Sequence, residues 1–240
     1  YPKITLHQIL EESASRFPSH TAIIFPGALG DSYRLKYRAL DQQVNRLANA
    51  LITLGVKKGD RVALLLPNCP QFVISYYAIM KAGGVVVATN PLYSPREMEH
   101  QLNDCGAETI IVLSLFYKTV MRVKDKTKLK NVIVTNIKEY LPPVSRFLFT
   151  MVREKKDGHR VNISGAKDTY SFQSLLKRST PKAPSAAVTP DDIAMFQYTG
   201  GTTGTSKGAV ALHRNVVANV YQMKEWANPV KPPEGTGVVM

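Results

Sequence analysis

Four runs rich in branched apolar residues, Arg61 to Leu66, Val85 to Ala88, Thr109 to Leu113 and Val132 to Thr135, are separated by segments with helical patterning. This alternation predicts β and α units in succession, with a mainly parallel sheet covered on both faces. Two helices are legible before it. Leu6, Ile9, Leu10 and Phe17 share one helical face; so do Leu40, Val44, Leu47, Ala48 and Leu51, with Gly55 as the stop. Both are expected to pack on the sheet. A third helix start is spelled out by Ser94-Pro95-Arg96-Glu97, a reciprocal cap with proline at the first helical position. The expected fold class is therefore α/β, a multilayered sandwich without internal repeats. At 240 residues and 44% hydrophobic content, the chain can bury a sizeable core.

Thr180 to Pro190 (TPKAPSAAVTP) holds three prolines and hardly any bulky apolar group, the composition of a linker. The expected organisation is a first α/β subdomain over 1–180, a linker over 181–190 and the start of a second subdomain over 191–240. Within the last, Ile193 to Tyr198 reads as a strand, Thr199 to Gly208 as a glycine-rich loop, Ala209 to Leu212 as a second strand and Asn215 to Trp226 as a helix.

Tyr1 to Gln8 show no apolar run behind basic residues, and no stretch approaches the roughly 20 apolar residues that cross a bilayer. Neither secretion nor a membrane span is expected. Cys69 and Cys105 stand apart and the histidines are scattered, so a structural zinc site lacks ligands; both thiols are expected to be reduced and buried. A formal charge of +13 points to a polyanionic partner: nucleic acid, a nucleotide or an anionic membrane. Between Lys118 and Lys167 stand thirteen Lys and Arg against four acids. Most of the excess is in that segment.

Tyr198-Thr-Gly-Gly-Thr-Thr-Gly-Thr-Ser-Lys-Gly208 packs four glycines, four threonines, a serine and a lysine into one turn between strands. Glycines let backbone N–H groups converge on an anion, hydroxyls add movable donors and Lys207 adds a point charge. A flexible surface loop has the same composition. The P-loop order is not met, since Lys207 precedes Gly208 and a strand-like run follows; the dinucleotide-binding spacing is absent as well.

The loop resembles the signature [YF]-[TS]-[SG]-G-[ST]-T-G-x-P-K-G of the adenylate-forming superfamily, which comprises acyl-CoA and aryl-CoA ligases, luciferases and peptide-synthetase adenylation domains. Ten of its eleven positions fit. Ser206 departs from the usual proline, which loosens the loop without removing a phosphate ligand. Phe17-Pro18, Thr21-Ala22-Ile23, Gly59-Asp60-Arg61-Val62-Ala63, Pro67-Asn68, Lys81-Ala82-Gly83-Gly84 and Asn90-Pro91-Leu92-Tyr93 extend the resemblance over nearly the whole chain. The strings Asn90 to Glu97 and His100 to Asp104 are most similar to bacterial long-chain fatty acyl-CoA ligases.

The resemblance implies the N-terminal part of such a ligase. Its reaction is attack of a fatty acid carboxylate on Mg-ATP to give acyl-AMP and pyrophosphate, followed by transfer of the acyl group to coenzyme A. Thr199, Gly200, Gly201, Thr202, Thr203, Gly204 and Lys207 would hold the ATP phosphates, with Thr199 a candidate near Mg²⁺. The adenine contacts, a magnesium glutamate, the acid pocket and a catalytic lysine are expected beyond Met240, so this part alone is expected to be inactive. His213 is expected to pack or to start a helix. A cytoplasmic location is implied, with peripheral contact at the inner membrane face, and a homodimer is compatible. Two competing functions are a ligase for a medium-chain or aryl acid and a non-catalytic lipid-surface protein.

Val144, Phe147, Leu148, Met151 and Val152 recur at helical spacing behind Pro142-Pro143, among Arg146, Arg153, Lys155 and Lys156. This is a basic amphipathic helix. It reads as a surface helix packed on the core, as a contact of 142–160 with an anionic membrane, or as a nucleic-acid contact. Against the last, neither a zinc-finger spacing nor an RNP-like aromatic motif is present, and no nucleic-acid partner is expected.

Overall fold

All four branched apolar runs form strands, and the helical patterns between them form helices. The computed structural model describes residues 1–199 and 206–226. It opens with α1 (Leu6–Arg16), a hairpin of β1 (Thr21–Pro26) and β2 (Ser32–Lys36), and α2 (Tyr37–Thr53). The alternation follows as β3 (Arg61–Leu65), α3 (Pro70–Lys81), β4 (Val85–Ala88), α4 (Pro95–Cys105), β5 (Thr109–Leu113), α5 (Tyr117–Lys124) and β6 (Asn131–Thr135). Then come α6 (Pro143–Leu148), β7 (Thr169–Ser171), α7 (Phe172–Arg178), β8 (Ile193–Thr199), β9 (Lys207–Leu212) and α8 (His213–Trp226).

One seven-stranded sheet runs in the order β7-β6-β5-β3-β4-β8-β9. Its pairs are parallel except β8 with β9. Side chains alternate across a strand, and the core divides accordingly. Val62, Leu64, Val86, Ile111 and Ile133 face a layer built from α2, α3 and α7. Ala63, Leu65, Val87, Ile110, Val112 and Val134 face α4 and α5. Residues on both faces are buried, which is why these runs read as continuously apolar.

The helix ends follow local chemistry. Gly55, at φ +93°, takes the left-handed conformation that follows α2. At the start of α4, the Ser94 N–H donates to Glu97 Oε2 (2.8 Å) and the Glu97 N–H to Ser94 Oγ (3.4 Å). The position of α1 differs from the expectation: it lies on α2, α3 and α8, not on the sheet. Its buried set is only Leu6, His7 and Leu10, a stripe narrow enough to fit between helices. A buried cation joins these layers. Lys81 Nζ, on a side chain only 4% exposed, meets Glu11 Oε1 of α1 at 2.7 Å and Asp41 Oδ1 of α2 at 3.1 Å.

The proline-rich segment crosses over α2 and is strapped to it. Asn49 Nδ2 donates to the carbonyls of Thr180 (3.1 Å) and Lys182 (2.8 Å), and Lys58 Nζ to that of Ala187 (2.8 Å). The strand beyond it joins the same sheet, with Val86 opposite Met195 and Val87 opposite Phe196.

Among the three readings of the basic helix, packing of its apolar face on the core is not what the structure has. Phe147 is 64% exposed, Met151 70% and Val152 65%, with Val144 and Leu148 also outward. The inward contacts are polar: Ser145 Oγ donates to Asp31 Oδ1 (2.8 Å) and accepts from the Ala28 N–H (2.9 Å), while Glu154 pairs with Lys138 (2.7 Å). A π-helical stretch, Phe149–Arg153, continues α6. No helix among the described residues is long and apolar enough to cross a membrane.

Candidate functional site

The root of the glycine-rich turn is an antiparallel hairpin. β8 takes Ala194 and Tyr198 into the interior, and β9 returns beside it, with Thr199 opposite Lys207 and Tyr198 opposite Gly208. Lys207 and Gly208 already belong to the second strand, two residues earlier than the sequence pattern suggests. Cross-strand pairing recruits them. Because β8 runs parallel to β4, Thr199 at its end and Lys207 opposite lie on the side of the sheet where β3, β4, β5 and β6 also end. In open α/β sheets this side is where ligands bind.

Of the predicted phosphate ligands, Thr199 and Lys207 are brought together as exposed neighbours at the mouth of the hairpin. Gly200, Gly201, Thr202, Thr203 and Gly204 lie outside the described residues. A hydroxyl beside an ammonium suits phosphate oxygens, one as a movable donor and the other as a charge. For Mg²⁺, Thr199 supplies one neutral oxygen, enough for a partial ligand of an ion that keeps several waters. Among the described residues, no group of three or more His, Cys, Asp or Glu could hold a metal.

Gly208 has a specific reason to be glycine. A Cβ built there would lie 3.0 Å from Tyr198 Cζ and 3.1 Å from Cε2, so any side chain would press on the Tyr198 ring and force it back by a few tenths of an ångström. The first and last residues of the signature are therefore one packing pair. Tyr198 Oη donates to Asp104 Oδ2 of α4 at 2.5 Å. Burial, with Asp104 beside it, pushes the Tyr198 phenol above its ordinary range.

Behind the hairpin, His213 starts α8 and is buried, combining both roles expected of it. Its N–H donates to the Asp192 carbonyl (3.1 Å) and its Nδ1 accepts from the Leu6 N–H (3.2 Å). The His7 ring stands edge-on to it at 5.9 Å. Burial holds both imidazoles down at about 4, with Lys81 adding to the effect at His7 and His7 to that at His213. Asp192 also pairs with Lys58 (2.7 Å), tying the base of the hairpin to the loop before β3. Cys69 and Cys105 are free and buried, and burial pushes the Cys69 thiol up to about 11, outside a nucleophilic range.

Asp104 escapes a reading of the motif because it sits some ninety residues upstream in an amphipathic pattern. One signal was available: it is an acid in the last turn of a helix, where the dipole disfavours a carboxylate.

A long-chain-fatty-acid–CoA ligase of Bacillus subtilis is 38% identical over 232 residues, 96% of this chain and 40% of that protein. One from Escherichia coli is 37% identical, over 95% of this chain and 40% of its own length. Among solved structures, a long-chain-fatty-acid–CoA ligase from Archaeoglobus fulgidus superposes with a TM-score of 0.73 at 30% identity, covering 93% of this chain and 39% of that one. An anthranilate CoA ligase in complex with anthranoyl-AMP shares the fold, with a TM-score of 0.75 at 24% identity, over 92% of this chain and 37% of that one. The chain thus spans about two fifths of the length of the relatives it matches. With residues 10–239 matching the family described as AMP-binding enzyme, the chain belongs to that family.

Proposed function

We propose that this chain is the N-terminal part of a long-chain fatty acid–CoA ligase that adenylates the acid with ATP and then transfers the acyl group to coenzyme A. The observation that carries the reading is the hairpin, which sets Lys207 against Thr199 on the carboxyl edge of the sheet. Main-chain N–H groups of Thr199, Gly200, Gly201, Thr202, Thr203 and Gly204, with Lys207 Nζ, would donate to the ATP phosphates and disperse charge developing on pyrophosphate. Thr199 would offer an oxygen to Mg²⁺, which when bound neutralises phosphate charge. In the complete protein, Lys207→Ala is expected to lower ATP–pyrophosphate exchange at least tenfold; an unchanged rate removes the role assigned to it. Pyrophosphate release across acids of increasing length separates a long-chain ligase from one for medium-chain or aryl acids. No release with any acid would favour a non-catalytic lipid-surface protein. The segment 181–190 is proposed as a boundary between subdomains that share one sheet.

A peripheral contact with the inner membrane face, for a cytoplasmic protein, is part of the same proposal. The outward apolar row Val144, Phe147, Leu148, Met151 and Val152 favours it, flanked by Lys155, Lys156 and Arg160, which have no carboxylate partner among the described residues. Cations near anionic lipid contribute roughly 1 kcal/mol each. Flotation with anionic but not neutral liposomes is the expected result, and equal recovery from both ends the electrostatic version. The proposed homodimer is tested by the mass of the complete protein in light scattering.

A further inference from the structure

The hairpin is held from outside by a helix that no phosphate signature includes. α4 reaches the ends of β4 and β8, the neighbouring strands of which the second leads into the turn. Its Gln101, fully buried, donates Nε2 to the carbonyl of Ala88 (3.0 Å), the last residue of β4. One turn later, Asp104 accepts from Tyr198 Oη, one residue before Thr199 and on the strand paired with β4.

Two features set this contact apart from an incidental one. Asp104 stands where the helix dipole opposes a carboxylate, and the last turn of α4 holds no basic residue to offset that. Tyr198 is only 8% exposed, and its ring rests on the bare face of Gly208 across the hairpin. Fixing that one hydroxyl therefore fixes the ring, and the ring spans both strands. α4 itself does not depend on the bond. Met98, Leu102 and Cys105 anchor it in the core, and its N-terminus is capped by Ser94 and Glu97.

We propose that Asp104 is a positioning residue for phosphate binding: through Tyr198 it sets where β8 leaves the sheet, and with it the placement of Thr199 and Lys207 toward a triphosphate. The proposal rests on the phosphate-binding reading of the turn. Positioning errors of about an ångström cost on the order of a hundredfold in rate when a site works by orientation.

The test uses the complete protein and the variants Asp104→Leu, Asp104→Asn, Tyr198→Phe and Lys207→Ala. ATP–pyrophosphate exchange, melting temperature and amide hydrogen exchange along β8 and β9 are measured for each. Asp104→Leu and Tyr198→Phe are each expected to lower kcat/KM for ATP by about 10- to 100-fold. Their combination is expected to do no further damage, because both remove one bond. Asp104→Asn, which keeps an acceptor oxygen, is expected to recover most of the loss. Amide exchange at Thr199 and Lys207 rises in the impaired variants while the melting temperature stays within a few degrees. Tyr198→Phe, which alters only the hydroxyl, keeps the test decisive if Asp104→Leu folds poorly. The proposal is overturned if Lys207→Ala impairs exchange while Tyr198→Phe and Asp104→Leu do not, or if their losses merely follow unfolding. An unimpaired Lys207→Ala overturns the phosphate reading first, and this proposal with it.

Discussion

Single residues settle the chemistry here, and two buried histidines show it most directly. His7 and His213 are both held neutral, with folded values about 4. In the unfolded chain they titrate near 6.5, so the unfolded state takes up protons first as pH falls. The stability they confer is fully present above about pH 6.5 and drains away down to about pH 4. At pH 5 the loss is about 2 kcal/mol for each ring, from the roughly 1.4 kcal/mol per pKa unit of linkage. Urea unfolding at pH 7 and pH 5 measures it. In His213→Gln the slope across this window is expected to fall by about half, and an unchanged slope would assign it to other groups. Thr199 and Lys207 stand out in the sequence because hydroxyls and a charge among glycines suit a phosphate, and the structure pairs the two across the hairpin. Asp104 and the histidine pair do not stand out, since their partners lie some 90 and 200 residues away and only the fold brings them together.

Among elements, the helices were read from their apolar stripes, and that rule served where the stripe is wide. It worked for α2, whose Leu40, Val44, Leu47, Ala48 and Leu51 are all buried. At α6 the stripe again marks a helix but not its buried side, because polar pins from Ser145 and Glu154 hold the opposite side inward. Phe147→Asp combined with Met151→Asp is expected to abolish liposome flotation while changing stability by no more than about 0.5 kcal/mol, as at other exposed positions. Co-flotation of that double variant at the wild-type level would remove the membrane reading of the helix. The β1–β2 hairpin and β7 were not read as strands, β7 being three residues long and too short for a periodic signal. The packing of α1 depends on Lys81. Its replacement by Ala leaves Glu11 and Asp41, both partly exposed, without their shared cation and is expected to cost about 1 to 2 kcal/mol in chemical denaturation. A loss under about 0.5 kcal/mol would show that the triad is incidental.

For the whole molecule, the parallel sheet and its two covering layers follow from the spacing of four apolar runs, whereas strand order does not. Nothing local in Met195 or Phe196 says that they pair with Val86 and Val87. A chain ending at residue 190 lacks β8 and leaves one edge of β4 unpaired. It is expected to lose cooperative thermal unfolding and to bind a dye that reports exposed apolar surface; a sharp transition with no dye binding would show that 1–190 is self-sufficient. The same pairing has a consequence during synthesis. When β4 leaves the ribosome its far edge has no mate, and the mate is about one hundred residues behind it in the chain. At the usual rate of about 5–20 residues per second, a strand of four residues, three of them valine, stays available to passing chains for roughly 5 to 20 seconds.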